Sequence, residues 1–191
     1  MKIAFARPLV LSIFALTLAG CATQAPTLNF VPEDVLPIKN KVAAELKTIT
    51  VSIAKEDERL GETQVGFFGN QYEVAFKSSF KEALEEALAK SAAFNDLADR
   101  KVSLTAKVMK FESPSGGINF DTDLIVRYEL FDRASGQLVY RRDIASQGSV
   151  PFDYAFMGAI RFTEARNRAV RQNVLNFISS LEEIKLADVS K

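Results

Sequence analysis

Few side chains in this sequence of 191 residues are equipped for covalent or acid–base chemistry. It has no His, which excludes Ser-His-Asp and Cys-His couples, imidazole metal ligands and a His proton shuttle. The single Cys, Cys21, excludes an intrachain disulfide and a Cys-based zinc site and leaves one thiol nucleophile. No Ser stands in a G-x-S-x-G elbow, so acyl transfer has no candidate. Carboxylates remain. Asp121/Asp123, Glu85/Glu86 and Glu182/Glu183 are the pairs a glycoside hydrolase would need to place on two sides of a bond. The two Glu pairs fall on polar helix faces and the Asp pair at a strand start, where solvated charge is the default. Arg161, Arg166, Arg168 and Arg171, with Arg141 and Arg142, could meet a polyanion such as lipopolysaccharide phosphate. Glu164 and Asp143 are interleaved with them, so an ordinary solvated face is expected. Gly61 to Gly69 (GETQVGFFG) lacks the G-x-x-x-x-G-K-[ST] pattern of a phosphate loop. No metal site, no cofactor and no catalytic residue is expected.

The thiol is different, because its neighbours give it a purpose. Lys2 and Arg7 form a positive start, Pro8 to Ala19 is an uncharged apolar run, and small residues follow, the order of a secretory signal over residues 1–20. The run is shorter than the about 20 residues of a spanning helix and breaks into Thr23, Gln24, Pro26 and Asn29. Leu18-Ala19-Gly20-Cys21 resembles the bacterial lipobox, L-[AS]-[GA]-C, where the signal is cut and the cysteine becomes a diacylated N-terminus. A thiol is the nucleophile that thioether formation with a lipid requires. Each buried acyl CH₂ then adds about 0.8 kcal/mol of membrane affinity, and several chains give stable anchoring. By resemblance to lipoprotein sorting rules, where Asp after the Cys retains a protein at the inner membrane, Ala22 implies the outer membrane, facing the periplasm.

Processing changes the charge. The whole chain balances 24 Lys+Arg against 24 Asp+Glu; without residues 1–20, which hold only Lys2 and Arg7, 22 face 24, a net of −2 over 171 residues. Neither balance suits a general nucleic-acid binder. No basic patch lies beside Cys21 to grip anionic headgroups, so the lipid itself is the expected anchor.

Residues 21–46 carry Pro26, Pro32 and Pro37 without a clear period and read as an extended tether. Leu28, Phe30, Val31, Val35, Leu36 and Ile38 in it are apolar, so parts either dock on the sheet that follows or contact a partner near the membrane. Fully extended it would reach roughly 80–90 Å, and as a coil nearer 30 Å. Either length lets the domain hang clear of a bilayer.

The domain, expected over 47–185 and followed by a short flexible tail at 186–191, is legible as alternation and helical spacing. Ile49, Val51 and Ile53 give a first strand in 48–54. Asn70 with Glu73 suggests a helix cap and its acidic partner, and Tyr72, Phe76, Phe80, Leu84 and Leu88 recur every four residues behind it. Alternation then predicts strands over 101–108, 123–130 and 137–146, joined by turns at Pro114–Gly117 and Asp132–Gly136. A last helix is expected over 153–183 on Phe156, Ile160, Thr163, Val170, Val174, Phe177 and Leu181. The order β-α-β-β-β-α, apolar on one side, predicts a single two-layer α+β domain: a mainly antiparallel sheet with two helices on one face.

Two aromatic groups stand outside this pattern. Phe67 and Phe68 occupy the glycine-flanked loop, and Phe152, Tyr154 and Phe156 precede the last helix. Folding back on the core is expected of both. Contact with a partner or the membrane, or a groove for an amphiphile, is the alternative.

The run Cys21-Ala22-Thr23-Gln24-Ala25-Pro26-Thr27-Leu28-Asn29-Phe30, with Pro32 and Leu36-Pro37, resembles the start of the YajG-type lipoproteins, and the strand and helix order of 47–183 is similar too. More loosely, the layout resembles the auxiliary lipoproteins of ABC lipid transporters and the lipoprotein that plugs the lipopolysaccharide translocon, though the Cys-Gly-Phe opening of the latter is missing. The resemblance implies an envelope lipoprotein with no catalytic residues to carry over. The expected function is a non-enzymatic, outer-membrane-anchored accessory protein binding an envelope partner. A lipid- or glycan-binding carrier is the second reading, and a carboxylate hydrolase ranks last.

Overall fold

The computed structural model describes residues 27–66, 69–113 and 118–184. The signal, Cys21, Phe67, Phe68, the Pro114–Gly117 turn and the tail lie outside the described residues.

Four strands and two helices follow in the order β1 (Glu45–Ile53), α1 (Asn70–Ser91), β2 (Lys101–Glu112), β3 (Phe120–Asp132), β4 (Leu138–Val150) and α2 (Gly158–Leu181). They form an α+β domain with the sheet order β1-β2-β3-β4. β1 pairs parallel with β2 through the α1 crossover, and β2, β3 and β4 form an antiparallel meander. Leu104 opposite Leu130, Ala106 opposite Tyr128 and Val108 opposite Val126 all point to the inner face, where both helices lie. The outer face is a lattice of ion pairs: Arg127 donates to both oxygens of Asp143 at 2.7 and 2.8 Å, and Arg141 donates to Glu129 at 2.7 Å.

Each strand is longer than its alternation suggests. In β2 the register shifts between Val108 and Lys110, so Val108 and Met109 are both buried and the inner face resumes at Phe111. That bulge hides the strand's last residues from a period-two reading. The two helices begin differently from expectation. Gly69, with φ 91°, occupies the cap position of α1, Asn70 is its first helical residue, and no side chain caps it. Glu73 instead accepts from Lys77 one turn on, at 2.9 Å. α2 starts at Gly158, five residues late, because β4 runs on to Val150 and Pro151 and a single 3-10 turn, Phe152–Tyr154, intervene. The hairpin turn after β3 does use Gly136 at φ 72°.

Two close approaches weld the layers. Tyr128 stacks on Phe177 of α2 with ring centroids 3.8 Å apart and donates its hydroxyl to Asn173 at 2.9 Å. Gly148 of β4 lies directly under the α2 backbone, with no room for a side chain.

The segment before β1 is part of this core. Phe30, Val42 and Ala44 are buried, and Phe30 sits edge-on to Phe76 and Phe80 of α1 at 5.2 and 6.3 Å. The chain runs in the same direction as α2: Asn29 meets Asn167 near its middle, and the Lys39 amide meets Glu182 at its end. Of the two readings of this segment, docking on the domain holds for Leu28, Phe30, Val31, Val35 and Ile38, while Leu36 is exposed, so residues 28–44 do not add to a free tether.

Candidate functional site

The candidate residues do not converge on one cleft. Asp123 is tied to Lys110 and Gln147, Glu85 to Lys81, and Glu86 to Lys90, while Glu182 holds the Lys39 amide. These carboxylates are scattered over the outer sheet face and the helix surfaces, each tied to a cation or an amide. Among the described residues no three His, Cys, Asp or Glu side chains gather as around a metal ion.

The arginines also separate. Arg141 is on the outer sheet face, Arg142 is exposed on the β4 edge, and Arg168 and Arg171 both donate to Glu164, at 3.0 and 2.6 Å. Arg161 and Arg166 are buried, which overturns the expected solvated face.

Arg166 is only 1% exposed. It donates to Ser113 Oγ at 3.3 Å, Tyr72 Oη at 3.1 Å and the Gln64 carbonyl at 3.4 Å. The rings of Phe162 and Phe111 lie 4.4 and 4.8 Å from its guanidinium carbon. Burial pushes its ionisation below the ordinary arginine value, and the Tyr72 hydroxyl pulls the other way. Five donors in a rigid fork suit this clamp between α2, α1, the end of β2 and the 61–66 loop. The signal was present: Arg166 stands four residues before Val170 and eight before Val174, in phase with the buried stripe.

At the same end of the sheet, the connection from β4 to α2 carries the aromatic cluster, and here too the core expectation fails. Phe152 is 65% exposed, Phe156 is fully exposed, and Tyr154 and Met157 are exposed beside them. The late start of α2 is the cause: Phe156 precedes the helix and cannot join its buried stripe. Ile118, two residues before β3, is 78% exposed and joins the same rim, because its carbonyl accepts from Arg161 at 3.5 Å. The Arg161 guanidinium lies between the Phe152 and Phe120 rings, 4.7 and 4.9 Å from their centroids, and Arg168 lies 5.1 Å from that of Tyr154. Such contacts orient the rings without covering them.

Grooves mark other parts of the surface, among them one beside Arg142, Asp143, Asn176 and Glu183. One of about 300 Å³ lies between α1 and β1, with Leu46, Ile49, Leu88 and Phe94 on its walls. Another, lined by Glu33, Asp34, Tyr154, Glu164, Arg168 and Arg171, is strongly charged and takes in one of the candidate aromatics. Phe152 and Phe156 line none of these, and Phe67 and Phe68 lie outside the described residues.

No protein-family model matches the chain, and no curated protein matches it in sequence. The YajG-type likeness thus stays one of residues. Several solved structures are similar in fold. A Xanthomonas campestris protein of the DUF330 family model is 15% identical, with a TM-score of 0.48 over 80% of this chain and 90% of its own. A minor lipoprotein from Acinetobacter baumannii is 13% identical, with a TM-score of 0.46 over 80% of this chain and all of its own. A hypothetical protein from Chlamydia trachomatis is 13% identical, with a TM-score of 0.44 over 72% of this chain and 98% of its own.

Proposed function

We propose that this chain is a non-enzymatic lipoprotein, anchored to the outer membrane through Cys21 and facing the periplasm, that binds a partner in envelope assembly or transport. The Leu18-Ala19-Gly20-Cys21 run at the end of an apolar signal carries this reading. The domain supports it in two ways. Its polar side chains are spent on packing, as in the Arg166 clamp and the outer ion-pair lattice. What it offers outward is a contact surface, the exposed rim of Ile118, Phe152, Tyr154, Phe156 and Met157. Among the described residues no helix is long and apolar enough to cross a membrane, so attachment falls to the lipid.

Metabolic labelling with palmitate tests the anchor. The parent chain takes the label and fractionates with the outer membrane, and Cys21→Ala takes none. A parent chain that takes no label ends the reading. Crosslinking in intact cells then identifies the protein held by the domain.

A further inference from the structure

We infer that the exposed aromatic rim lies on the surface of the same bilayer that holds the Cys21 lipid, so that the domain is seated on the membrane and not suspended from it. This rests on the anchor reading above.

The argument is one of length and direction. Going towards the N-terminus, the docked segment passes from the end of α2, at Glu182, to Asn167, where Thr27 and Asn29 are held. It is therefore heading for the end of the domain where α2 begins and the rim stands. Asn167 is nine residues into α2 from Gly158, an axial distance of about 14 Å at 1.5 Å per residue. From Cys21 to Thr27 is six residues, which span at most about 20 Å fully extended. The anchor thus reaches the level of the rim with only a few ångströms to spare. The far end of α2, at Leu181, is fourteen residues from Asn167, about 21 Å, just beyond a fully extended lead, so the rim end is the one the lipid meets with slack.

The rim has the chemistry for that position. Phe152, Tyr154, Phe156, Met157 and Ile118 project from one end of the sheet. Aromatic rings with a polar neighbour are at home in the interfacial zone, where apolar groups sink about 5–10 Å into the headgroup and acyl boundary. Arg161 and Arg168 stack behind Phe152 and Tyr154 and fix how those rings stand at the surface. The opposite end, with Leu97 and the Asp132–Gly136 turn, then faces away from the bilayer.

The sequence has no Trp, so one introduced Trp is a clean reporter. The lipidated full-length chain carrying Phe156→Trp is reconstituted in phosphatidylethanolamine/phosphatidylglycerol vesicles containing lipids brominated near the headgroup. Met157→Trp is a second rim reporter, and Leu97→Trp, at a site 93% exposed at the far end, is the control. Far-UV circular dichroism confirms that each variant folds. Rim Trp emission is expected to shift to the blue and to be quenched several-fold more strongly than Trp at 97. It should stay so in 0.5 M salt, because the contact is apolar. If the chain floats with the vesicles while both rim reporters stay as unquenched as the control, the bilayer contact is overturned and the rim belongs to a protein. A chain that does not float at all overturns the anchor reading, and the seat with it.

Discussion

The side chain of Asn167 holds the backbone on either side of Leu28 as a neighbouring strand would. Its Oδ1 accepts the Asn29 N–H at 3.1 Å and its Nδ2 donates to the Thr27 carbonyl at 3.1 Å. Arg171 donates to the Asn29 carbonyl one turn on, at 3.5 Å. An extended segment that lacks a strand partner thus has its polar groups met by one helix, which lets Phe30 enter the core beside it.

Asn167→Ala removes both bonds at once. Two hydrogen bonds of ordinary net value, with an amide left half-buried, amount to about 2 kcal/mol. Most of the loss should fall on the lead segment and not on the sheet. Hydrogen exchange reads this directly: the Asn29 amide should lose protection in the variant while Leu104 and Val126 keep theirs. An Asn29 amide as slow as in the parent would show that other contacts hold the segment.

Gly148 is the tightest point between the layers. A Cβ built there would come within 2.1 Å of the Ala165 carbonyl oxygen and 2.4 Å of the Ala169 nitrogen, both backbone atoms of α2. Ser146 donates to the Ala169 carbonyl at 2.8 Å beside it, so the helix cannot lift without breaking that bond. Gly148→Ala is expected to cost about 3 kcal/mol, the upper range for overpacking. Urea denaturation should show a clearly lowered midpoint, and an unchanged midpoint would mean that α2 is not seated on β4 in this way.

The Arg166 clamp predicts that charge alone is insufficient. Arg166→Lys keeps the charge but replaces a planar fork with a point ammonium, which cannot serve Ser113, Tyr72 and Gln64 together. A loss of about 2–3 kcal/mol is expected, the range for hydrogen bonds to a charged group. The Gln64 loop should also become more open to limited proteolysis. A Lys variant with parental stability would reduce Arg166 to a spacer.

What the sequence disclosed was whatever has a period. The stripe Phe76, Phe80, Leu84, Leu88 and the alternation of Val102, Leu104, Ala106 and Val108 are burial written every four and every two residues, and the structure buries each of them. Features without a period are less legible. For Phe30 the docking reading holds, but its partners Phe76 and Phe80 lie far along the chain, and nothing local names them. Phe152 and Phe156 looked like core because aromatic residues usually are, but Pro151 and a 3-10 turn postpone the helix that would have buried them. The charge of Arg166 argues for water, but its phase with Val170 argues for the interior, and the interior wins. The close approach at Gly148 leaves no trace in a pattern, since the residue is chosen for lacking a side chain.

Tyr128 carries the pH dependence that can be assigned to one core group. Complete burial raises its hydroxyl well above the ordinary value of 10.0, with a smaller push from Tyr140. In the unfolded chain the hydroxyl titrates near 10. Below that pH both states keep the proton and the residue adds no slope. Above it the unfolded chain releases a proton that the folded chain retains, so stability falls as pH rises from about 10 towards the raised folded value. Tyr128→Phe keeps the stack on Phe177 and removes the proton. At neutral pH it should cost about 1 kcal/mol for the lost bond to Asn173. Between pH 10 and 11 its stability should then fall less steeply than the parent's, by at most about 1.4 kcal/mol per pH unit. Urea midpoints at pH 8, 10 and 11 for both proteins make the comparison. Parallel lines would mean that the Tyr128 hydroxyl is not shielded from water in the folded chain.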